Sequence, residues 1–119
     1  MKVAITTSGT TLESEVDPRF GRAPYILIVD TESLGYEVID NRENAESLKG
    51  AGIQAASSVS EKGAEVLLTG HCGPNAFKTL KAAGIKVVNG ATGTVKEAIK
   101  NYLEGKLVET EQPDVEGGW

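Results

Sequence analysis

The chain has 119 residues, enough for one domain with a buried core, and its 17 acidic and 12 basic residues give a net charge of −5. No basic run offsets this acidity, which argues against nucleic-acid binding, and no apolar segment approaches the roughly 20 residues that span a membrane. The N-terminus lacks signal-peptide architecture and the single cysteine cannot form an internal disulfide, so a cytoplasmic, reducing location is predicted.

The first half of the chain is rich in strand patterns. Residues 2–6 predict a first strand, and the nearly continuous apolar run 25–30 is typical of a strand covered on both faces. A turn leads to residues 35–40, which predict an antiparallel partner strand near an edge of the sheet. Between the first two strands, residues 7–24 hold Thr, Ser, Gly, two prolines and charges. A loop of that length is uncommon inside a domain and indicates a functional role.

From Gly50 onwards the hydrophobic period becomes helical. Ile53, Ala56 and Val59 predict a helix that packs a face of small residues onto a sheet. Gly63 is expected to end this helix.

Two strands and a second helix follow. Residues 65–69 predict a buried strand, and residues 85–88 predict a short one. The helix between them has Pro74 in its first turn and ends at Gly84. Its predicted apolar positions are Ala76, Phe77, Leu80 and Ala83.

The last helix has the clearest boundary signals. Thr94 and Glu97 form a capping-box pattern at its start, and Gly105 is expected to cap its end. Its apolar positions lie on one helical face and are Val95, Ala98, Ile99, Tyr102 and Leu103.

The order of these elements indicates the fold class. A strand-rich first half followed by alternating helices and strands predicts a three-layer α/β domain, with a mixed sheet flanked by helices. Residues 1–105 form this single domain. Residues 106–119 are polar, contain Pro113 and end in Gly-Gly-Trp, so they are predicted to form a poorly packed, flexible tail.

Residues 70–75, Gly-His-Cys-Gly-Pro-Asn, carry the strongest chemical signal. They join a predicted strand to the following helix, and they hold the only histidine and the only cysteine of the chain. A glycine-rich turn at a helix N-terminus presents unbonded backbone N–H groups, which suit an anion. A soft sulfur and an imidazole beside them would suit a small anionic or metal-containing ligand.

Three segments carry a family resemblance. They are Asp-Pro-Arg-Phe-Gly-Arg-Ala at 17–23, Gly-Ala-Gly-Ile-Gln-Ala-Ala at 50–56, and Leu-Thr-Gly-His-Cys-Gly-Pro-Asn-Ala-Phe at 68–77. Because the chain holds these three segments in this order, it resembles a small single-domain member of the dinitrogenase iron–molybdenum cofactor biosynthesis family. The resemblance covers roughly residues 1–103. The resemblance implies a ribonuclease-H-like fold with a five-stranded mixed sheet. It also implies carriage of an iron–sulfur or molybdenum-containing metal-sulfide cluster during cofactor assembly, rather than turnover of a substrate.

Cys72 and His71 are the predicted metal ligands. A thiolate suits iron–sulfur, copper(I) and related centres. The alternatives are that Cys72 is a small buried hydrophobe and that His71 bonds to backbone. One cysteine and one histidine cannot fill a closed zinc site, which needs four protein ligands. Any metal cargo must therefore be held mostly by non-covalent contacts, by its own ligands, or by two chains together.

Arg19 and Arg22 offer the local positive charge that an anionic cargo needs in an acidic protein. The alternative for Arg19 is an ion pair with Asp17 that stiffens the loop. Phe20 is either a lid or an apolar plug, and Gly21 either admits a ligand to the backbone or is an ordinary turn glycine. Asn75 could donate to a ligand or cap the helix. The predicted cofactor-binding residues are Arg19, Phe20, Gly21, Arg22, Gly70, His71, Cys72, Gly73 and Asn75.

Three other functions stay open. His71-Cys72 followed by Lys78 resembles the cysteine-phosphatase signature, but a lysine stands where a phosphate-gripping arginine is needed, and Pro74 removes an amide. A ribonuclease-H-type nuclease needs clustered carboxylates, which the first strand lacks. A regulatory or interaction scaffold without a cofactor would use the same fold. We predict a non-enzymatic carrier, monomeric or weakly dimeric, with cluster cargo and cofactor-assembly proteins as partners.

Overall fold

The computed structural model describes residues 1–47 and 50–111. In this part of the chain five strands and four helices follow one another. They are β1 (Lys2–Thr7), β2 (Tyr25–Asp30), β3 (Tyr36–Asp40), α1 (Arg42–Ala45), α2 (Ala51–Glu61), β4 (Val66–Leu68), α3 (Pro74–Ala82), β5 (Lys86–Val88) and α4 (Val95–Leu103). All five strands were predicted to within two residues, whereas the one-turn helix α1 was not predicted.

The strands form one mixed sheet in the order β3-β2-β1-β4-β5, which confirms the predicted sheet class. The β1–β2 and β2–β3 pairs are antiparallel, while β1, β4 and β5 run parallel to one another. β3 is an edge strand, as predicted. Because parallel strands end on the same side, the segments that follow β1, β4 and β5 meet at one rim of the sheet, the carboxyl edge.

Helices cover both faces of the sheet and produce two buried clusters. On one face, the helix-pair face, α2 and α3 pack on Ala4, Ile26, Ile28, Leu67 and Val87. On the other, the α4 face, α4 packs on Val3, Ile5, Leu27, Val29, Val66, Leu68 and Val88. The alternation along each strand sends neighbouring side chains to opposite faces, so the central strands are apolar at almost every position.

Three predicted core positions are wrong. Ile53 is 45% exposed and Leu103 is 54% exposed, and Ala83 lies on the surface just after α3. The buried side of α2 is formed instead by Ala51, Gly52, Ala55, Ala56 and Val59. Small residues on this side let the helix approach the sheet closely, and this close approach rotates the larger Ile53 into solvent.

Residues 106–111, the described part of the predicted tail, make some specific contacts, although Val108 is 75% exposed. Leu107 packs against the core of the α4 face. Thr110 N donates to Val87 O at 2.7 Å, and its hydroxyl accepts from Asn89 N at 3.0 Å. This segment therefore satisfies backbone groups on the outer edge of β5. Residues 112–119 lie outside the described residues.

The α4 capping box is confirmed. Thr94 Oγ1 accepts from Glu97 N at 3.2 Å, and a carboxylate oxygen of Glu97 accepts from Thr94 N at 2.9 Å. These hydrogen bonds hold the pKa of Glu97 below its ordinary value of 4.5.

Replacing Glu97 with Ala should lower the melting temperature at neutral pH. Because the cap depresses the folded-state pKa, its contribution is present above about pH 4.5 and is lost as the pH falls through the folded-state value. Melting curves from pH 3 to 7 should show the two proteins converging in acid. Glu61→Ala removes an equal charge at the C-terminal end of α2, where an acid is unfavourable, and should not lower the melting temperature. A constant gap at all pH values would contradict this account.

Candidate functional site

The long loop after β1 folds back over the carboxyl edge through buried polar contacts. Thr6 Oγ1 donates to the carbonyl oxygen of Asp17 at 2.7 Å and lies 2.8 Å from Thr69 Oγ1. Asp17 N donates in return to Thr6 O at 2.9 Å. All three residues are buried. The loop is thus fastened to the ends of β1 and β4, and residues 17–22 are held over the rim.

The two motifs with the strongest family resemblance lie side by side. Arg19 and His71 form an isolated parallel bridge. In it, His71 N donates to Pro18 O at 2.7 Å, and Phe20 N donates to His71 O at 3.1 Å. Residues that are about 50 positions apart in the sequence therefore share one backbone ladder at the carboxyl edge.

Gly70 and Gly21 lie where the resemblance segments pack closely against one another, with no room for a side chain. A Cβ on Gly70 would lie 2.6 Å from Pro18 Cα, and a Cβ on Gly21 would lie 2.9 Å from the backbone of Gly52. Gly21 also has a φ of +96°, in the left-handed region that favours glycine. These contacts link all three resemblance segments and explain both glycines without a ligand.

Arg19 makes the predicted ion pair with Asp17 and still reaches solvent. Arg19 N and Nε donate to Asp17 Oδ1 at 2.9 and 3.4 Å, and Nη2 lies 3.4 Å from Oδ2. The Arg19 side chain is 48% exposed, whereas that of Asp17 is 10% exposed. Asp17 therefore orients a cationic side chain at the rim of the carboxyl edge.

Arg22 and Phe20 have structural contacts instead. Arg22 Nη1 donates to Ala45 O at 2.9 Å and to Ser47 O at 2.5 Å, so its guanidinium holds the segment after α1. Phe20 is fully buried in the cluster on the helix-pair face. The apolar-plug alternative describes Phe20 correctly, because no cargo can touch its ring in this conformation.

α3 begins at the carboxyl edge without a side-chain cap. Its N-cap is Gly73 in an extended conformation, followed by Pro74, and this glycine makes no side-chain cap hydrogen bond. The alternative in which Asn75 caps this helix is therefore wrong; Asn75 lies exposed within the first turn. The N-terminus of this nine-residue helix carries the partial positive charge of the helix dipole and lies at the carboxyl edge.

The two predicted metal ligands differ in accessibility. Cys72 is fully buried in the cluster of the helix-pair face, with Sγ 3.7 Å from Gly73 O, whereas His71 is half-buried. Within residues 1–47 and 50–111, no group of three or more His, Cys, Asp or Glu side chains is placed to hold a metal ion. A ligand role for Cys72 stays a prediction, and it would require the 70–75 turn to open.

We expect the Cys72 thiol to react slowly with a thiol reagent such as dithiobisnitrobenzoate, because burial excludes the reagent. Adding denaturant should make the same thiol react within seconds. Following thiol release by absorbance under both conditions checks this prediction. Equally fast reaction in the native protein would show that the turn opens readily, and it would favour the ligand role for this residue.

Sequence reasoning missed several polar residues at this edge. Thr6 and Thr69 join the strand ends, and Asn41 Nδ2 donates to Gly21 O and Ala23 O at 3.2 and 2.8 Å. In the described chain, Asn89 at the end of β5 has buried amide atoms without a hydrogen-bond partner. Their shared signal is a polar residue at or just after the end of a strand, which is too common to be specific.

The described helices include none that is long and apolar enough to cross a membrane. A mixed α/β sheet with an uncapped helix N-terminus and an oriented arginine at one rim defines a small α/β domain with a candidate anion-binding edge. The chain matches the Dinitrogenase iron-molybdenum cofactor family over residues 1–105, and it belongs to this family. The family prediction made from the three motifs is thus confirmed.

Two solved structures resemble this chain along nearly its whole length. The apo form of the orange protein from Desulfovibrio gigas is 41% identical, with a TM-score of 0.92 and 96% of each chain covered. A putative NifB protein from Thermotoga, assigned to the DUF35 family, is 45% identical, with a TM-score of 0.84 and 98% of each chain covered. An uncharacterized protein of Methanocaldococcus jannaschii is 32% identical over 110 residues, which are 90% of this chain and 89% of that protein.

Proposed function

We propose that this protein binds and delivers an anionic metal-sulfide cluster, containing iron or molybdenum, during cofactor assembly in the cytoplasm. The cluster would bind at the carboxyl edge, beside Arg19, His71 and the start of α3. Membership of the Dinitrogenase iron-molybdenum cofactor family supports the class of cargo. The observation that carries the proposal is the Arg19–His71 bridge, which brings a half-exposed arginine to the turn that precedes an uncapped helix.

Electrostatics favours this edge for an anion. The whole chain has a net charge of −5, so a negative cargo needs a local source of positive potential. The guanidinium of Arg19 supplies a planar, weakly hydrated cation, and the N-terminus of α3 adds the partial charge of the helix dipole. Both features are built on backbone contacts between the two motifs, so the site is preorganised and binding requires little ordering of the chain.

A cargo that is held mainly by non-covalent contacts can be released, as a delivery role requires. With Cys72 buried, the contacts of the bound cargo would be charge-assisted hydrogen bonds from Arg19, backbone N–H groups and the imidazole of His71. Such contacts can be exchanged one at a time when an acceptor protein approaches. A binding role of this kind needs no catalytic residues, which agrees with the prediction of a non-enzymatic protein.

The ribonuclease-H-like description of the fold belongs to the same proposal. The observed five-stranded mixed sheet supports it, because that sheet is what the description requires. The competing proposal is a regulatory or interaction scaffold without cargo, since the fold alone does not license a function.

Loading experiments distinguish these two proposals. The first is anaerobic purification from the native host, with metal analysis and a visible absorption spectrum. Stoichiometric iron or molybdenum with sulfide charge-transfer bands is expected. The second adds tetrathiomolybdate to metal-free protein and follows binding by absorbance after ultrafiltration. A protein that is colourless from its host and also fails to retain tetrathiomolybdate would contradict the carrier function and favour the scaffold.

A further inference from the structure

One buried amide at the carboxyl edge has no use in the contacts described so far. Asn89 follows β5 directly, and both of its amide atoms are buried without a hydrogen-bond partner, although the residue as a whole is half-buried. Buried polar groups in native proteins are almost always paired, because an unmade hydrogen bond leaves the cost of desolvation uncompensated. The unpartnered amide of Asn89 therefore calls for a partner that the chain itself does not supply.

The backbone around Asn89 is held beside the turn that leads into α3. Asn89 N donates to Thr110 Oγ1 at 3.0 Å. The next residue, Gly90, donates its N–H to Gly70 O, also at 3.0 Å. The strand end that carries the amide is thus fastened to the tail segment on one side and to the 70–75 turn on the other.

The alternation along β5 sets the direction of the Asn89 side chain. Val87 lies in the buried cluster of the helix-pair face, and Val88 lies in that of the α4 face. Because neighbouring side chains of a strand point to opposite faces, Asn89 shares the face of Val87. α3 covers that face and begins at the carboxyl edge, with Gly73 as its N-cap. The unpartnered amide therefore lies on the side of the sheet where the N-terminus of α3 brings partial positive charge.

The groups gathered at this point favour an acceptor. The amide nitrogen of Asn89 has two N–H donors, and the guanidinium of Arg19 lies on the other side of the 70–75 turn. Of the two amide atoms, the nitrogen needs a partner more, since unpaired N–H groups are rarer in proteins than unpaired carbonyl oxygens. An anion that only accepts hydrogen bonds matches this set, whereas a cation does not.

We propose that Asn89 is a further binding residue of the carboxyl-edge site, and that its amide nitrogen donates to a terminal sulfide or oxo atom of the anionic cargo. This inference rests on the proposed carrier function and adds the end of β5 to the groups that hold the cargo. The neighbouring Gly90 is exposed, with open space beside its α-carbon. A rotation of the Asn89 side chain towards that space would bring its nitrogen to the anion.

Titration of the full chain with tetrathiomolybdate at low ionic strength, followed by absorbance, tests the proposal. Asn89→Ala should weaken binding by about tenfold, because a hydrogen bond to an anion is lost. Asn101→Ala is the matched control. It removes the same amide from the last turn of α4, a helix that follows the carboxyl edge and runs away from it. Its affinity should stay within about twofold of wild type.

Urea unfolding of the metal-free proteins separates a binding role from a structural one. Asn89→Ala should leave the unfolding midpoint unchanged or raise it, since the amide makes no hydrogen bond that the substitution removes. Asn41→Ala is the opposite case, because the Asn41 amide nitrogen donates to Gly21 O and Ala23 O. Its midpoint should fall clearly below that of wild type.

Weaker binding by Asn89→Ala, with a midpoint that does not fall, supports the proposal. Binding within about twofold of wild type overturns it and leaves the carrier function intact. A midpoint that falls as far as that of Asn41→Ala also overturns it, because the amide would then have a structural partner in solution. Wild-type protein that does not retain tetrathiomolybdate contradicts the carrier function and this inference together, so the two failures are distinguishable.

Discussion

Replacing Arg19 with Ala should weaken tetrathiomolybdate binding by about tenfold at low salt, which corresponds to about 1.4 kcal/mol. Arg19 is the half-exposed cation that Asp17 orients beside the start of α3, so its removal takes away both charge and directed donors. Titration by absorbance at low ionic strength measures the effect. The loss should shrink as salt is added, because screening weakens the wild-type attraction towards that of the variant.

Arg42→Ala is a stringent control for this result. Arg42 pairs with Asp40 two residues earlier, just as Arg19 pairs with Asp17, and its Nη2 lies 2.7 Å from Asp40 Oδ2. It lies at the end of β3, two strands away from β1 in the sheet. Removing it changes the net charge equally, so its affinity should stay within about twofold of wild type. Equal losses in both variants would mean that overall charge, and not the carboxyl edge, determines binding.

Replacing Gly70 with Ala should destabilise the fold by about 3 kcal/mol, at the upper end of overpacking substitutions. The new Cβ would lie 2.6 Å from Pro18 Cα and 2.8 Å from Pro18 O, where backbone cannot move aside without breaking the Arg19–His71 bridge. Urea unfolding at neutral pH gives the free energy of unfolding directly.

Gly35→Ala provides the comparison for Gly70→Ala. A Cβ on Gly35 would meet only Ser33 Oγ, at 3.3 Å, and that hydroxyl can rotate away. This variant should stay within about 0.5 kcal/mol of wild type. If Gly70→Ala were equally mild, the two motifs would not be locked together, and the preorganised site that we propose would lose its structural basis.

Local sequence patterns were sufficient to predict the five strands, the three longer helices and the family. The nearly continuous apolar run at residues 25–30 predicted a strand covered on both faces, and the side chains of residues 26–29 are buried. The Thr94–Glu97 spacing indicates a capping box through contacts only three residues apart. The reliance of these predictions on local patterns also explains the wrong core positions. Ile53 fits a helical period, but the packing of α2 selects a face made of smaller residues.

The candidate site could be only partly predicted. Sequence order showed that residues 17–23 lead into one strand and that residues 70–75 join another strand to a helix. It left open whether Arg19 or Arg22 faces solvent, since both precede the same strand. The structure separates them, because Arg19 is oriented by Asp17 at the rim while Arg22 bonds to carbonyl oxygens after α1. Burial of Cys72 and Phe20 likewise depends on α2 and α3, which no local pattern contains.

The sequence by itself determined the α/β class, the strands, the helix caps and the family of this protein, because each rests on residues that are close together in the chain. Tertiary structure alone decided which of the candidate site residues reaches solvent and that Gly70 and Gly21 serve backbone packing. These properties depend on contacts between residues far apart in the chain, such as Thr6 with Thr69, 63 positions apart, and Gly21 with Gly52. Such contacts are set by how the layers pack together, and no periodic pattern in the chain encodes that packing.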